Sequence, residues 1–315
     1  MIWLGREDLL RAGALDWQAA LDDVAEAVRL LRRGDAEMVA ESVLPLGDDP
    51  RAKAYGLPAR LGGRFAAAGI KWTVHRPAAP EDGEAITSTT LIEDLATARP
   101  LGMVEAALLT RVRTAAVSAH VLRALRPGLR RIALLGAGAQ ARAHLAMLRA
   151  LFPDLERIAV WSRSGREVER LGPGITVHPD PEQAIANAEA VLMCSSAPQP
   201  FLGPEAATGG RLVLQIGFHE ISFAGIAAFD RVTCDLWGEF ARTSAKSLFQ
   251  MYRAGLFDPA QVAADLPAIL CDGWRPAPGE SVYFSSFGLN IFDIALAARL
   301  LRAASGQGIG TRLPG

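Results

Sequence analysis

At 315 residues the chain exceeds one ordinary core of about 100 to 150 residues, so two domains, or one large α/β domain carrying an insertion, are expected. Half of it is apolar, 21% is charged and the formal net charge is −1, which leaves no basic footprint for nucleic acid or an anionic membrane and points to a small-molecule partner. Cys194, Cys234 and Cys271 form no CxxC and no metal-ligand spacing, Glu7 and Asp8 stand where a leader would be apolar, and no stretch approaches about 20 apolar residues; a soluble, cytoplasmic protein without a metal is expected.

Between residues 16 and 33, Leu21, Val24, Val28 and Leu31 recur at three- and four-residue spacing, predicting an amphipathic helix that Gly34 ends. Residues 40–105 change character: short apolar runs such as Ile70–Val74 and Ala85–Ile92, broken by Gly, Pro and acidic turns, predict antiparallel strands. Helical spacing returns at 108–125 and stops at Arg126-Pro127-Gly128, which sets a domain boundary near 127. From there Ile132–Leu135, Ile158–Trp161, Ile175–His178, Ala190–Cys194, Leu212–Ile216 and Arg231–Cys234 alternate with helical or turn segments, the pattern of a doubly wound parallel α/β sheet. Past 240 the chain reads as helical again, interrupted by Pro and Gly at 272–280 and closing with a helix over 291–304. The Gly-rich end, 305–315, is expected to be a loosely held tail.

The sharpest local signal is Leu134-Leu135-Gly136-Ala137-Gly138-Ala139-Gln140-Ala141, a GxGxxA turn directly after a strand and opening an Ala-rich helix. Gly136 permits the tight turn, Gly138 lets a pyrophosphate approach the main chain, and Ala141 permits close helix packing. The helix N-terminus at Ala139 and Gln140 offers free N–H groups and the positive end of the dipole. At the end of the second strand an NAD site asks for a carboxylate, whereas this chain offers Ser162-Arg163-Ser164. A hydroxyl and a guanidinium suit a 2′-phosphate, which favours NADP(H), with NAD(H) the alternative if Arg163 faces solvent or stacks on adenine. Ser195 and Ser196, after the fourth strand, fall at the sheet edge where open α/β folds bind ligands.

Thr110-Arg111-Val112-Arg113-Thr114-Ala115-Ala116, followed about twenty residues later by the Gly136 turn, resembles the paired T-x-x-R-T-A-A and GxGxQA motifs of the ornithine cyclodeaminase/μ-crystallin family. Pro58-Ala59-Arg60-Leu61-Gly62-Gly63-Arg64-Phe65 with Gly69-Ile70-Lys71-Trp72 looks closest to the branch holding the N-(1-amino-1-carboxyethyl)glutamate dehydrogenase of staphyloferrin B biosynthesis, and Ser286-Phe287-Gly288-Leu289 with Asp293 is similar to the family's C-terminal signature. The resemblance implies a Rossmann NAD(P)-binding domain over 128–239, inserted in a discontinuous α+β substrate-binding and dimerisation domain over 1–127 plus 240–315, in a homodimer. It also implies that Lys71 and Arg113 meet an amino- or imino-acid substrate at the nicotinamide, with Arg113 and Thr114 beside the cofactor. A guanidinium can clamp an α-carboxylate bidentately, and a desolvated Lys71 near Arg113 could move the nitrogen's proton; the competing readings are a surface salt bridge for Arg113, a solvated strand edge for Lys71 and tight helix packing for Thr114.

Two departures bear on the reaction. The resemblance implies a catalytic Asp after the fifth Rossmann strand, but Ile216-Gly217-Phe218-His219-Glu220 has none, leaving His219 or Glu220 as acid/base, or His219 as a hydrogen-bonded structural residue. The loop over 73–83 lacks an Asn the closest branch carries, and its His75 and Arg76 could answer a second anionic group on the substrate. The expected activity is NAD(P)-dependent hydride transfer at the Cα–N bond of an amino acid, N-substituted amino acid or imine. A redox-neutral cyclodeaminase is the alternative, and a binding protein without turnover the third reading, against which the retention of Lys71 and Arg113 argues.

Overall fold

The computed structural model describes residues 1–49, 52–76, 86–163, 165, 168–239 and 243–314. Residues 77–83 of the loop noted above, Ser164 and Ala85 fall outside the described residues. The chain divides into two units, Met1–Arg113 with Leu289–Gly315, and Thr114–Gly288.

The first unit opens with β1 (Ile2–Leu4), α1 (Arg6–Arg11) and α2 (Trp17–Arg33), the last being the amphipathic helix read from spacing. The Asp16 side chain accepts from the Ala19 N–H at its start, and Leu21, Val24 and Val28 are buried along one face. There follow β2 (Ala36–Met38), β3 (Ser42–Pro45), β4 (Lys53–Leu61), β5 (Ala67–His75), β6 (Ile86–Asp94) and β7 (Pro100–Glu105). Neighbours β2–β4, β3–β4, β4–β5, β5–β6 and β6–β7 are antiparallel, as the alternating pattern implied, whereas β1 joins β7 in parallel. On β5 the period of two sorts the side chains: Lys71 and Thr73 are buried while Ile70 and Trp72 stand exposed on the other face. Helix α3 (Ala107–Leu125) carries the boundary between the units, between Arg113 and Thr114.

The second unit runs β8 (Arg131–Leu135), α4 (Ala139–Leu151), β9 (Arg157–Trp161), β10 (Thr176–Val177), α5 (Pro181–Ile185), β11 (Ala190–Met193), β12 (Leu212–Gln215), α6 (Phe223–Ala227), β13 (Arg231–Cys234), α7 (Ser247–Arg253), β14 (Val262–Asp265), α8 (Leu266–Leu270) and β15 (Val282–Ser285). Its sheet is parallel throughout, in the order β10-β9-β8-β11-β12-β15-β13-β14. From β8 the chain moves to β9 on one side and later to β11 on the other, so the ends of β8 and β11 flank the topological switch point, where doubly wound sheets form their ligand crevice.

Three expectations need correction. The second unit is wider than 128–239, because β15 inserts between β12 and β13 and β14 extends the edge; both are four-residue runs in a stretch read as helical, too short to show a period. The strand expected over 175–178 shrinks to the two exposed residues of β10. The tail is not loose: α9 (Asn290–Gln307) returns to the first unit across β4–β7 and beside α2, and β16 (Thr311–Arg312) then pairs with β1. Leu313 N–H also donates to the Met1 carbonyl at 3.0 Å. Among the described residues no helix is long and apolar enough to cross a membrane.

Candidate active site

In the first unit, Lys71 on β5, Arg113 on α3 and Asp293 on α9 converge although up to 222 residues separate them. Lys71 Nζ donates to Asp293 Oδ2 at 2.9 Å, Arg113 Nε lies 3.3 Å from Oδ1, and the Thr110 hydroxyl donates to Oδ1 at 3.4 Å. All three charged residues are buried, at 4%, 8% and 2% exposure. The alternation of β5 turns Lys71 toward α9, and Asp293 occupies the first turn of that helix, where a carboxylate is favoured by the dipole. Burial, reinforced by Arg113, pushes the Lys71 ammonium below its usual range although Asp293 opposes the shift. Burial alone would raise Asp293, but the charges of Arg113 and Lys71 win and hold it below its ordinary value. Arg113 Nε is buried without a hydrogen bond.

Two neighbours complete the surroundings. Glu41, which the sequence reading passed over, lies just before β3; burial pushes its carboxyl up while Lys71 pulls it down. His75, tilted against Tyr55 at 5.1 Å between ring centroids, is held below its usual range by burial and then by Lys71. Arg76, the next residue, is exposed.

In the second unit the Gly136–Gly138 turn joins β8 to α4 at the switch point. Gly136 has φ +124°, and a Cβ there would stand 2.6 Å from the Cys194 carbonyl oxygen, so backbone packing as well as the turn demands glycine. A Cβ on Gly138 would meet nothing within 4 Å, and as N-cap it offers no side chain to α4. The N–H groups at Ala139 and Gln140 thus open a helix of 13 residues with free space before it, and Gln140 Oε1 is buried without a hydrogen bond. This arrangement fits the pyrophosphate of a dinucleotide. At the end of β9, Ser162 is half-buried and Arg163 exposed, and Trp161 packs against Phe201 at 4.8 Å between centroids.

Ser195 and Glu220 come together, while Ser196 is exposed. Glu220 is fully buried; its Oε1 accepts from the Ser195 N–H at 2.7 Å and the Ser195 hydroxyl at 2.8 Å. Burial pushes its carboxyl up to about 7 against these bonds and Lys246. His219 is half-buried, its Nδ1 3.1 Å from the Ser247 hydroxyl, which also takes a hydrogen bond from Gln215 Nε2 at 2.9 Å. Burial lowers the His219 pKa. Thr114 is buried on α3, and Ser118, one turn on, lies 2.9 Å from His144 Nε2. The sequence reading named Lys71, Arg113, Ser195, His219 and Glu220 and passed over Glu41, Gln215, Lys246 and Ser247; Asp293 was noted only as part of a signature.

The sequence profile of the ornithine cyclodeaminase/mu-crystallin family matches residues 12–306. The N-((2S)-2-amino-2-carboxyethyl)-L-glutamate dehydrogenase of Staphylococcus aureus is 24% identical, over 99% of this chain and 98% of that protein. The NAD(P)H-dependent anabolic L-arginine dehydrogenase DauB of Pseudomonas aeruginosa is 30% identical over 70% of this chain and 73% of its own length. Among solved structures, the Δ1-pyrroline-2-carboxylate reductase of Thermococcus litoralis, in complex with NADH and L-proline, superposes with a TM-score of 0.88 at 20% identity, covering 99% of this chain and 100% of that one. The motif pairing, the two-unit fold and a profile that spans nearly the whole length agree: the chain belongs to the ornithine cyclodeaminase/mu-crystallin family.

Proposed function

We propose that the protein is an NAD(P)-dependent oxidoreductase that exchanges a hydride at the Cα–N bond of an amino acid, an N-substituted amino acid or the corresponding imine. The carrying observation is the Lys71–Asp293–Arg113 cluster: an amine and a guanidinium from distant parts of the chain are held together, out of water, on one carboxylate. The guanidinium fork can take an α-carboxylate through two parallel hydrogen bonds. Lys71, pushed toward its neutral form by burial, is suited to pass a proton to or from the substrate nitrogen.

The nicotinamide ring, when bound, supplies the hydride donor or acceptor. Gly136, Gly138, Ala139 and Gln140 seat the pyrophosphate, Ser195 and Ser196 line the same sheet edge, and Arg113 and Thr114 stand for the nicotinamide end. Ser162 and Arg163, with no carboxylate between Trp161 and Gly165, favour NADP(H) over NAD(H). The two relatives, a dehydrogenase of an amino-acid derivative and an L-arginine dehydrogenase, support an α-amino nitrogen in the substrate. The buried or free thiols of Cys194, Cys234 and Cys271 suit the cytoplasm.

The test is absorbance at 340 nm with NADP+ or NAD+ and a panel of L-amino acids, run beside an ammonia assay and in reverse with NADPH, 2-oxo acids and amines. Cofactor reduction or oxidation stoichiometric with substrate, with the higher kcat/KM for NADP(H), is expected. Ammonia release with no absorbance change would establish redox-neutral cyclisation instead, and silence in both directions would sink the enzyme reading.

The same reading includes a homodimer. Ile70 and Trp72 on β5 are exposed, and the register puts Leu44 of β3 on the same open sheet face, an apolar surface that a second copy would cover. Light scattering is expected to give the mass of two chains, reduced to one by Trp72→Asp; a single-chain mass for the unaltered protein would overturn this.

A further inference from the structure

The segment after β11, Ser195 to Leu202, is fastened at both ends to one residue. At its start, Glu220 Oε1 accepts from the Ser195 N–H and hydroxyl; at its finish, the Glu220 carbonyl accepts from the N–H groups of Phe201 at 3.0 Å and Leu202 at 3.1 Å. The attachment leaves no slack. A Cβ on Gly217 would come 2.2 Å from the Ser195 carbonyl oxygen and 2.3 Å from Glu220 Oε1. Lys246 Nζ, itself buried, donates to the carbonyls of Gly217 at 2.6 Å and of Ile216, pinning the chain that leads to Glu220.

What this segment touches is the dinucleotide site. Gly136 rests on its beginning, where a Cβ would stand 2.6 Å from the Cys194 carbonyl oxygen and 3.3 Å from Ser195 N. Near its end, Phe201 packs on Trp161, the residue before Ser162 and Arg163. A carboxyl group in a protein interior can suit acid–base work, but Glu220 is wholly buried, Oε1 already receives two hydrogen bonds, and Oε2, which receives none, is buried as well. We propose that Glu220 is a positioning residue for the dinucleotide: it clamps both ends of the Ser195–Leu202 segment, holds the support under the Gly136 turn in shape, and exchanges no proton with substrate. The proposal rests on reading the Gly136 turn as the dinucleotide seat.

Three variants test it: Glu220→Ala, Glu220→Gln, which keeps an acceptor oxygen, and Ser195→Ala. Two readouts are needed, amide hydrogen exchange of residues 195–202 in the cofactor-free protein and the Kd and KM for NADPH and NADH. Glu220→Ala is expected to speed that exchange and weaken the cofactor by about tenfold or more, the size of losing hydrogen bonds to a charged group. Its kcat at saturating cofactor should fall far less, Glu220→Gln should recover most of the affinity, and Ser195→Ala should give a smaller loss in the same direction. A roughly hundredfold fall of kcat in Glu220→Gln with KM unmoved would make Glu220 an acid/base group and overturn the proposal. Unchanged exchange and affinity in Glu220→Ala would also overturn it, and if that variant does not fold, Ser195→Ala and Glu220→Gln decide. If the unaltered protein binds neither NADPH nor NADH, the dinucleotide reading falls and the positioning role with it; exchange that still depends on Glu220 would identify that failure.

Discussion

Arg113→Lys is expected to lower kcat/KM for the amino- or imino-acid substrate by about 10²- to 10³-fold, the cost of losing the paired hydrogen bonds to a carboxylate. The substitution keeps a positive charge, so the effect isolates geometry. An ammonium has no planar fork, cannot hold a carboxylate through two parallel bonds, and cannot place charge at the Nε position 3.3 Å from Asp293 Oδ1. Cofactor affinity, followed by NADPH fluorescence, should move far less than kcat/KM. Steady-state kinetics within threefold of the unaltered protein would show that Arg113 does not hold substrate and would leave the buried cluster as a structural ion pair.

Asp293→Ala is expected to destabilise the protein by about 3–5 kcal/mol, the usual penalty for leaving buried charge uncompensated. For a chain of this size that lowers Tm by roughly 5–8 °C. Lys71 and Arg113 would face each other with no carboxylate between them, in a place where water cannot screen them. The pH dependence follows from the shifts. Asp293 has a folded pKa below its unfolded value of 3.8, so its contribution is fully present above that value and is lost as pH falls through the lower folded one. Lys71 has a folded pKa below 10.5, so the penalty of charging it in the interior weighs at lower pH; stability therefore rises with pH between the folded and unfolded values. In Asp293→Ala the acid limb due to the carboxylate should disappear, and Lys71, without its counter-ion, should lose its proton at lower pH than before. Thermal denaturation against pH measures both. A Tm within 2 °C of the unaltered protein, a figure of roughly 1 kcal/mol or less, would mean that the cluster is wetter than its burial implies.

Glu220 and Asp293 show why some of the site was legible and some was not. The Gly136 turn is a local motif whose chemistry is written in adjacent residues, a tight turn and a free helix start, whereas Lys71 and Arg113 stood out only through the resemblance to the family's motifs. Asp293 was visible only as one letter of a C-terminal signature, because nothing local says that it meets Lys71 across 222 residues of chain. Glu220 read, beside His219, as a candidate acid/base. Its hydrogen bonds to Ser195, 25 residues away, exist only once β11 and β12 lie side by side in parallel register.

The sequence by itself determined the α/β class, the parallel sheet with its glycine turn and the antiparallel strands of the first unit, since turn chemistry and side-chain period are properties of neighbours along the chain. Tertiary structure alone decided that β15 enters the parallel sheet between β12 and β13, that the final residues pair with β1, and that three charges from β5, α3 and α9 share one buried place. Those outcomes depend on which distant segments exclude water from one another, and burial of that kind fixes both the register of short apolar runs and the protonation of the groups beside them.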